Sequence, residues 1–559
     1  MSDITRTRPN ADQMDALIEQ ARIIGGAIGS RADFEWLAML NGNNYKTVMK
    51  QWFQANGCAV VADLSDLCDR WYTMTRTGWT GGVKFPIPAE GAAASSDGVK
   101  TGDNYGLTCT PSTPETANTD DYDNLPLFAC VDCNVWLDSS GKPHVSAIDG
   151  IAGNFKRSDP SKIVAVMQMT GWKKAFVDTA NGYYGWEYTD LIAQPGFVPL
   201  PEAVELADNS VRPWVVHGKY GFGPNYSCCS NQQPLIFTVS HNSQITGVRN
   251  AWGNRYCGTT TADDAFMKLM LYLKYARLDS DRILHGCCGY NLDYTPAVAE
   301  NGVERVLLTT AQAANVLVGS TMHLSASSRG GTAVADRVKV KKVETVNVGG
   351  TDYGAVYVDN GGVTFNTTTS QHFCSLAWFT GSTDGVKGND GGINPSNDRF
   401  PVKIQGIEVM VGCYEVMGDT MFVYGDNGGV NCMTPWVCRD ASKISTSKTS
   451  DYKASHGIPT PASSAWQYPK QMREGSTLPE LIFPIDAGGS SSAGPRDGMY
   501  TLNNTSGSYE WLRFGNLGTG LANAGFSCGN GYNGLSDAYW YFGGRLSVTG
   551  NRGEFQPAA

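Results

Sequence analysis

The pentapeptide GFSCG at 525–529 spells the nucleophile-elbow pattern, in which a serine on a sharp strand-to-helix turn attacks an acyl carbon. Ser527 would be that nucleophile. The elbow needs a strand before it and a helix after it, whereas both flanks here are rich in Gly and Asn, so acyl transfer is not expected. Neither an HExxH helix nor a Walker lysine loop occurs. The seven histidines (His144, His217, His241, His285, His323, His372 and His456) stand far apart with no metal-ligand spacing and read as structural. TDDYDN at 119–124 and GDNGG at 425–429 resemble calcium loops but lack the EF-hand spacing and its closing Glu. They admit a calcium ion without assigning one, no ligating residue is named, and no other cofactor is expected. Nothing singles out a pair of carboxylates for glycosidic cleavage.

A different chemistry is written near the carboxyl end. Residues 511–555 crowd Gly, Asn, Ser and Tyr between a few large aromatics, and 516–541 contain no His, Lys or Glu and one Asp, Asp537. Proton transfer needs titratable groups with a reason to be perturbed. Recognition needs something else: Tyr and Trp give large contact area at low conformational-entropy cost, while Ser, Gly and Asn give adaptable hydrogen bonds. The stretch therefore reads as a displayed binding surface, set against the plainer reading of a glycine-rich loop that satisfies its own turns.

The elements that must position such a surface are legible in outline. A chain of 559 residues exceeds what one core supports, so two to four domains are expected. Charged residues make up 17% and glycines number 65, which favours turns and irregular β structure over long helices. The net charge is −10, and the one basic cluster, Arg337, Lys339, Lys341 and Lys342, is too small a footprint for a phosphate backbone, so no nucleic-acid partner is expected. No apolar run approaches the roughly 20 residues that span a bilayer, so no membrane insertion is expected. The first residues, MSDITRTRPNADQ, lack the layout of a secretory signal, which places synthesis in a reducing cytosol. The fifteen cysteines then read mostly as free, buried thiols.

Helical spacing recurs three times before residue 75: Met14, Leu17, Ile18 and Ala21; Tyr45, Val48, Met49, Trp52 and Phe53; Leu64, Leu67, Cys68, Trp71 and Tyr72. Residues 1–77 are read as a helical attachment or oligomerisation region and 78–125, rich in Gly, Ser and Thr, as a linker. Strands are expected near 127–135 and 163–169. A helix is expected over 261–280, capped by Thr261 with Asp264, its face of Phe266, Leu269, Met270 and Leu273 packed on a sheet. Short strands from Val306, Lys339 and Tyr353, set off by glycine pairs, predict a small β-barrel or sandwich at 303–367 inserted in a larger domain of 126–302 and 368–559. The fold class is α+β, multidomain.

The run GLSDAYWYFGGRLSVTGNRGEF at 534–555 resembles the end of the variable proteins of diversity-generating retroelements. Further support comes from PGFVPLP at 195–201 leading to VRPWVVHGKY at 211–220, from the 267–280 helix, and from IQGIEVMVGCYEV at 404–416 followed by Trp436, which look similar in order to phage lectin-fold tail proteins. The resemblance covers about residues 126–559; where relatives place a tryptophan-rich strand after Gly412, this chain has Tyr414, Glu415 and Val416. It implies a C-type lectin fold of the formylglycine-generating-enzyme type and, in phage, a receptor-binding adhesin at a tail-fibre tip. Reverse transcription in such systems mutates template adenines, so the variable ligand contacts implied are Asn516, Asn523, Ser527, Asn530, Tyr532, Asn533, Ser536, Tyr539 and Tyr541. Trp540, Phe542, Gly543, Gly544 and Arg545 match the invariant framework. The implied partners are a bacterial surface protein or glycan and other tail-fibre or baseplate proteins, in a homotrimer within the virion. The enzyme branch of that fold needs a close cysteine pair near the C-terminus, and Cys528 stands alone with Cys438 far upstream. A surface polysaccharide depolymerase and a structural virion protein are the alternatives.

Overall fold

The structure is a computed structural model and describes residues 31–40, 43–426 and 429–555. Strand outweighs helix, 34% against 14%, in several separate sheets, so the chain is of mixed α+β class. Three helices lead: α1 (Arg31–Leu40), α2 (Tyr45–Ala55) and α3 (Ser65–Met74). The helix expected around Met14 to Ala21 lies outside the described residues. Asn44 caps α2 by accepting the Thr47 N–H. The apolar stripes of α2 and α3 meet through Trp52 and Trp71, and Trp71 Nε1 donates to Tyr45 Oη at 2.6 Å. Both helices share one apolar core with Val145 and Trp214. Leu64 N–H donates to the Val145 carbonyl at 2.7 Å and Trp214 Nε1 to Asp69 at 2.6 Å, so this layer is built into the body.

Residues 78–125 differ from the linker expected of them. Thr80–Pro86 pairs with Val99–Gly102 on one side and Tyr183–Thr189 on the other, inside a five-stranded sheet completed by Trp172–Asp178 and Val198–Pro199. Val83, Phe85, Asn104 and Tyr122 are buried. The glycines serve close approach here: a Cβ on Gly81 would fall 2.5 Å from Asn104 N, and one on Gly82 2.6 Å from the Trp186 carbonyl. A second sheet orders Pro143–Ile148, Val131–Leu137, Ile163–Met169 and Trp214–Gly218, all antiparallel.

Behind these lie α4 (His241–Trp252) and α5 (Thr261–Tyr275). The capping box of α5 is Thr260 with Asp263, one residue earlier than expected, because Asp264 turns inward to Lys268 at 2.7 Å and Arg513 at 3.2 Å. Every side chain from Thr261 to Lys274 is buried, so protein surrounds this helix instead of meeting one face. Strands Thr80–Pro86, Tyr414–Asp426, Ile482–Pro484 and Gly525–Asn530 all touch it.

The inserted β unit is present with its own core, which includes Val306, Met322, Val340, Val356 and Phe373. Its six strands run in the order Asp293–Tyr294, His372–Leu376, Thr321–Ser325, Ala333–Val348, Thr351–Asp359, Arg305–Leu308. It therefore reaches beyond 303–367 on both sides, since the edge strand at Asp293 pairs with the strand that follows the expected end. The last part of the chain builds a nine-stranded sheet. Tyr414–Asp426 is its spine, flanked by Asn431–Cys438 and Ser508–Phe514, with Phe542–Gly543 alongside in parallel.

Candidate functional site: the carboxyl-terminal face

The base of the face is rigid for identifiable reasons. Arg545 is buried and donates to the carbonyls of Gly218 at 3.1 Å and Lys219 at 2.7 Å, and to Glu415 Oε1 at 2.6 Å. Burial alone would depress this guanidinium, but the Glu415 carboxylate more than offsets that and holds it charged. Glu415 is thus the internal anchor of Arg545. Phe542 is fully buried, and Tyr414 N–H donates to the Tyr541 carbonyl at 2.9 Å. A Cβ on Gly543 would meet Cys413 Sγ at 2.5 Å and one on Gly544 would meet a Phe222 ring carbon at 2.6 Å, so neither position has room for a side chain. Trp540 is half-buried with the Arg329 guanidinium 4.4 Å from its ring centre.

Above this base stand the aromatic groups. Tyr532 is 54% exposed and Tyr539 45%. Tyr539 stacks on Tyr541 at 5.5 Å with 7° between the ring planes, and Tyr532 packs edge-on to Tyr500 at 5.7 Å. Ser536 is exposed and accepts from Asn242 Nδ2 at 2.8 Å. Asn516, Asn523, Asn530 and Tyr541 are half-buried. Each asparagine oxygen already has a partner: Gly518 N–H at 2.8 Å, Tyr468 Oη at 2.7 Å and Tyr532 N–H at 2.9 Å respectively.

Two of the expected contacts are corrected. Ser527 is 2% exposed and Asn533 5%, which puts both out of reach of an outside partner. Ser527 sits inside strand Gly525–Asn530, paired between Ser508–Phe514 and Met499–Thr501 with α5 against it, and every residue from Gly525 to Gly529 is buried. That strand is not followed by a helix, and the Ser527 N–H is spent on Asp497 at 2.7 Å, which removes the elbow geometry as well. The structure adds Tyr500 and Trp466, in contact at 5.4 Å, which extend the aromatic surface from strands Met499–Thr501 and Ala465–Gln467. Only their aromatic character signals them in sequence; the pairing Trp466↔Tyr500 makes them neighbours.

The titratable groups near the face are structural. Asp537 holds a turn by accepting the Gly534 N–H at 2.9 Å. Glu510 is buried beneath it and accepts the His241 N–H at 2.7 Å; burial pushes its carboxyl up to about 9. Farther off, His217 lies between Asp263 at 2.8 Å and Glu202 at 3.4 Å. Burial opposes its charge, yet the two carboxylates raise it to about 9. Ser547 donates to Asp263, not to the imidazole, so these residues do not form a nucleophile–base pair.

The acidic run at 119–124 is committed internally, Asp120 to Lys274 at 3.2 Å, Asp121 to the Thr108 N–H at 2.7 Å and Asp123 to Asn389 at 2.7 Å. All fifteen cysteines are free thiols, every one but Cys109 buried, as the reducing reading expects. Among the described residues no helix is long and apolar enough to cross a membrane.

A cleft of about 610 Å³ opens elsewhere, lined by Phe176, Tyr184, Trp186, Lys174, Arg473 and Glu474 among others. Glu474 there is ion-paired with Lys173. No protein-family model matches the chain, and no curated protein matches it either.

Proposed function

We propose that this chain is a non-enzymatic receptor-binding protein of a phage tail-fibre tip, a lectin-fold variable protein whose carboxyl-terminal face grips a bacterial surface protein or glycan. The observation that carries this is the division of residues 530–545: the exposed rings of Tyr532 and Tyr539, the latter stacked on half-buried Tyr541, stand above a base of Phe542, Gly543, Gly544 and Arg545 that leaves no room for a side chain at either glycine and is tied from inside by Glu415. A surface that tolerates exchange of its contacts needs a backbone fixed by other residues. The resemblance of 534–555 to retroelement variable proteins supplies the biological setting. Weak individual contacts suffice if a trimeric tip presents several copies, since linked sites raise overall binding by about 10² to 10⁴.

The test is Tyr539→Ala with Tyr532→Ala. Each ring is roughly half in water, so folding measured by circular dichroism should be unchanged while binding to susceptible cells weakens about tenfold or more. Unchanged cell binding would remove the reading. The alternative, a polysaccharide depolymerase, would use the aromatic cleft beside Glu474; oligosaccharide release that stops in Glu474→Gln would establish it instead.

A further inference from the structure

The fold brings three metal-ligand types together at one edge of the inserted sheet, away in sequence from the carboxyl-terminal tyrosines. His372 and Cys374 are two residues apart on strand His372–Leu376, so their side chains share a face. Asp293, on the two-residue edge strand, lies directly opposite Cys374 in the antiparallel register. One ligand atom from each falls within 4.8 Å of the others. His372 Nδ1 is 2.9 Å from Asp293 Oδ1, and Cys374 Sγ donates to that same oxygen at 3.2 Å. Cys374 is fully buried, while the side chains of His372 and Asp293 are 33% and 41% exposed, so the trio has a fixed floor and an open side.

We propose that Asp293, His372 and Cys374 bind a zinc-type divalent ion. The donor set decides the class: thiolate and imidazole with one carboxylate suit zinc, whereas calcium and magnesium take oxygen ligands throughout. With bonds of about 2.0 to 2.3 Å, a tetrahedral ion holds its ligand atoms roughly 3.4 to 3.6 Å apart. The two separations to Asp293 Oδ1, 2.9 and 3.2 Å, are a few tenths of an ångström shorter, the third lies within 4.8 Å, and the two partly exposed side chains can move outward by that amount. One carboxylate and one thiolate balance the ion's two positive charges. A thiol binds such an ion as the thiolate, so the Cys374 proton passes to water as the S–metal bond forms.

A guanidinium beside Cys374, that of Arg329, is also held elsewhere. Arg329 donates to Asn291 Oδ1 and the Leu292 carbonyl and lies over the Trp540 ring. Three protein ligands leave the fourth position to water or to a donor from outside. The ion would staple the short edge strand to its neighbour, close in sequence to the Asn291–Arg329 contact under Trp540, and so stiffen the join between the insert and the carboxyl-terminal face. None of this rests on the receptor-binding reading.

The experiment uses the full chain, stripped of metal and reduced, titrated with Co²⁺ and then Zn²⁺. One ion per chain should bind, Co²⁺ should give a thiolate-to-metal charge-transfer absorption, and Zn²⁺ should displace it. Cys374→Ser should abolish that absorption. His372→Ala, at a partly exposed position that does not threaten folding, should weaken Zn²⁺ binding about tenfold or more. Failure of the unaltered chain to bind Zn²⁺, or a charge-transfer signal and affinity left unchanged by His372→Ala, would overturn the proposal.

Discussion

Tyr539 lies parallel to Tyr541 and Tyr532 meets Tyr500 edge to face, so each exposed ring is braced by a half-buried one and needs little further ordering when a ligand arrives. Beneath them Glu510 imposes a pH dependence with a definite sign. Its carboxyl is raised from 4.5 to about 9 in the folded chain, which therefore keeps a proton that the unfolded chain gives up. Stability falls as pH rises between those values, by at most about 1.4 kcal/mol per pH unit for one group. His217, raised from 6.5 to about 9, adds stability that is complete below 6.5 and is lost as pH climbs through 9. The two slopes have the same sign. In Glu510→Gln the decline in unfolding free energy from roughly pH 5 to 9 should be visibly shallower in urea titrations. A slope equal to that of the unaltered chain would show that Glu510 ionises normally.

At the scale of elements, the framework is set by backbone proximity. Strand Phe542–Gly543 runs parallel to Tyr414–Asp426, and its glycine lies against Cys413 with no space for a methyl group. Gly543→Ala should destabilise the chain by about 1 to 3 kcal/mol through overpacking, read as a lowered melting temperature. Ser536→Ala, on the exposed side of the same segment, should stay within about 0.5 kcal/mol. Equal effects would mean that the division between base and displayed side is wrong. The cap of α5 makes the same point from a buried helix: Thr260 also meets Thr549 Oγ1 at 2.5 Å, so this helix start is tied to the chain's last segment.

For the whole molecule, the helices at 45–74 are part of the main core, since Tyr45, Trp52 and Trp71 join the same apolar cluster as Val216, Leu271 and Phe542. Deleting residues 1–77 should therefore lower the melting temperature and expose hydrophobic surface, measurable as increased binding of an apolar dye. A truncated chain that melts like the full one would show that these helices only attach to something else. The inserted sheet, by contrast, carries a separate core and meets the body near Tyr290 and Trp378.

The sequence by itself determined what local forces control. Helical spacing marked α2, α3 and α5, β-branched runs separated by glycine pairs marked the insert, and 516–541 stood out as a stretch without His, Lys or Glu. Tertiary structure decided which of the polar tail residues face water. Ser527 and Asn533 have the same composition around them as Asn530 and Tyr532, yet both are buried, Ser527 within a strand whose residues from Gly525 to Gly529 are all covered, and no local pattern records what lies above or below a strand. The same holds for 78–125, where glycines that read as flexibility allow strands to approach, and for Asp293 with Cys374, 81 residues apart, which only the register of one strand pair makes neighbours.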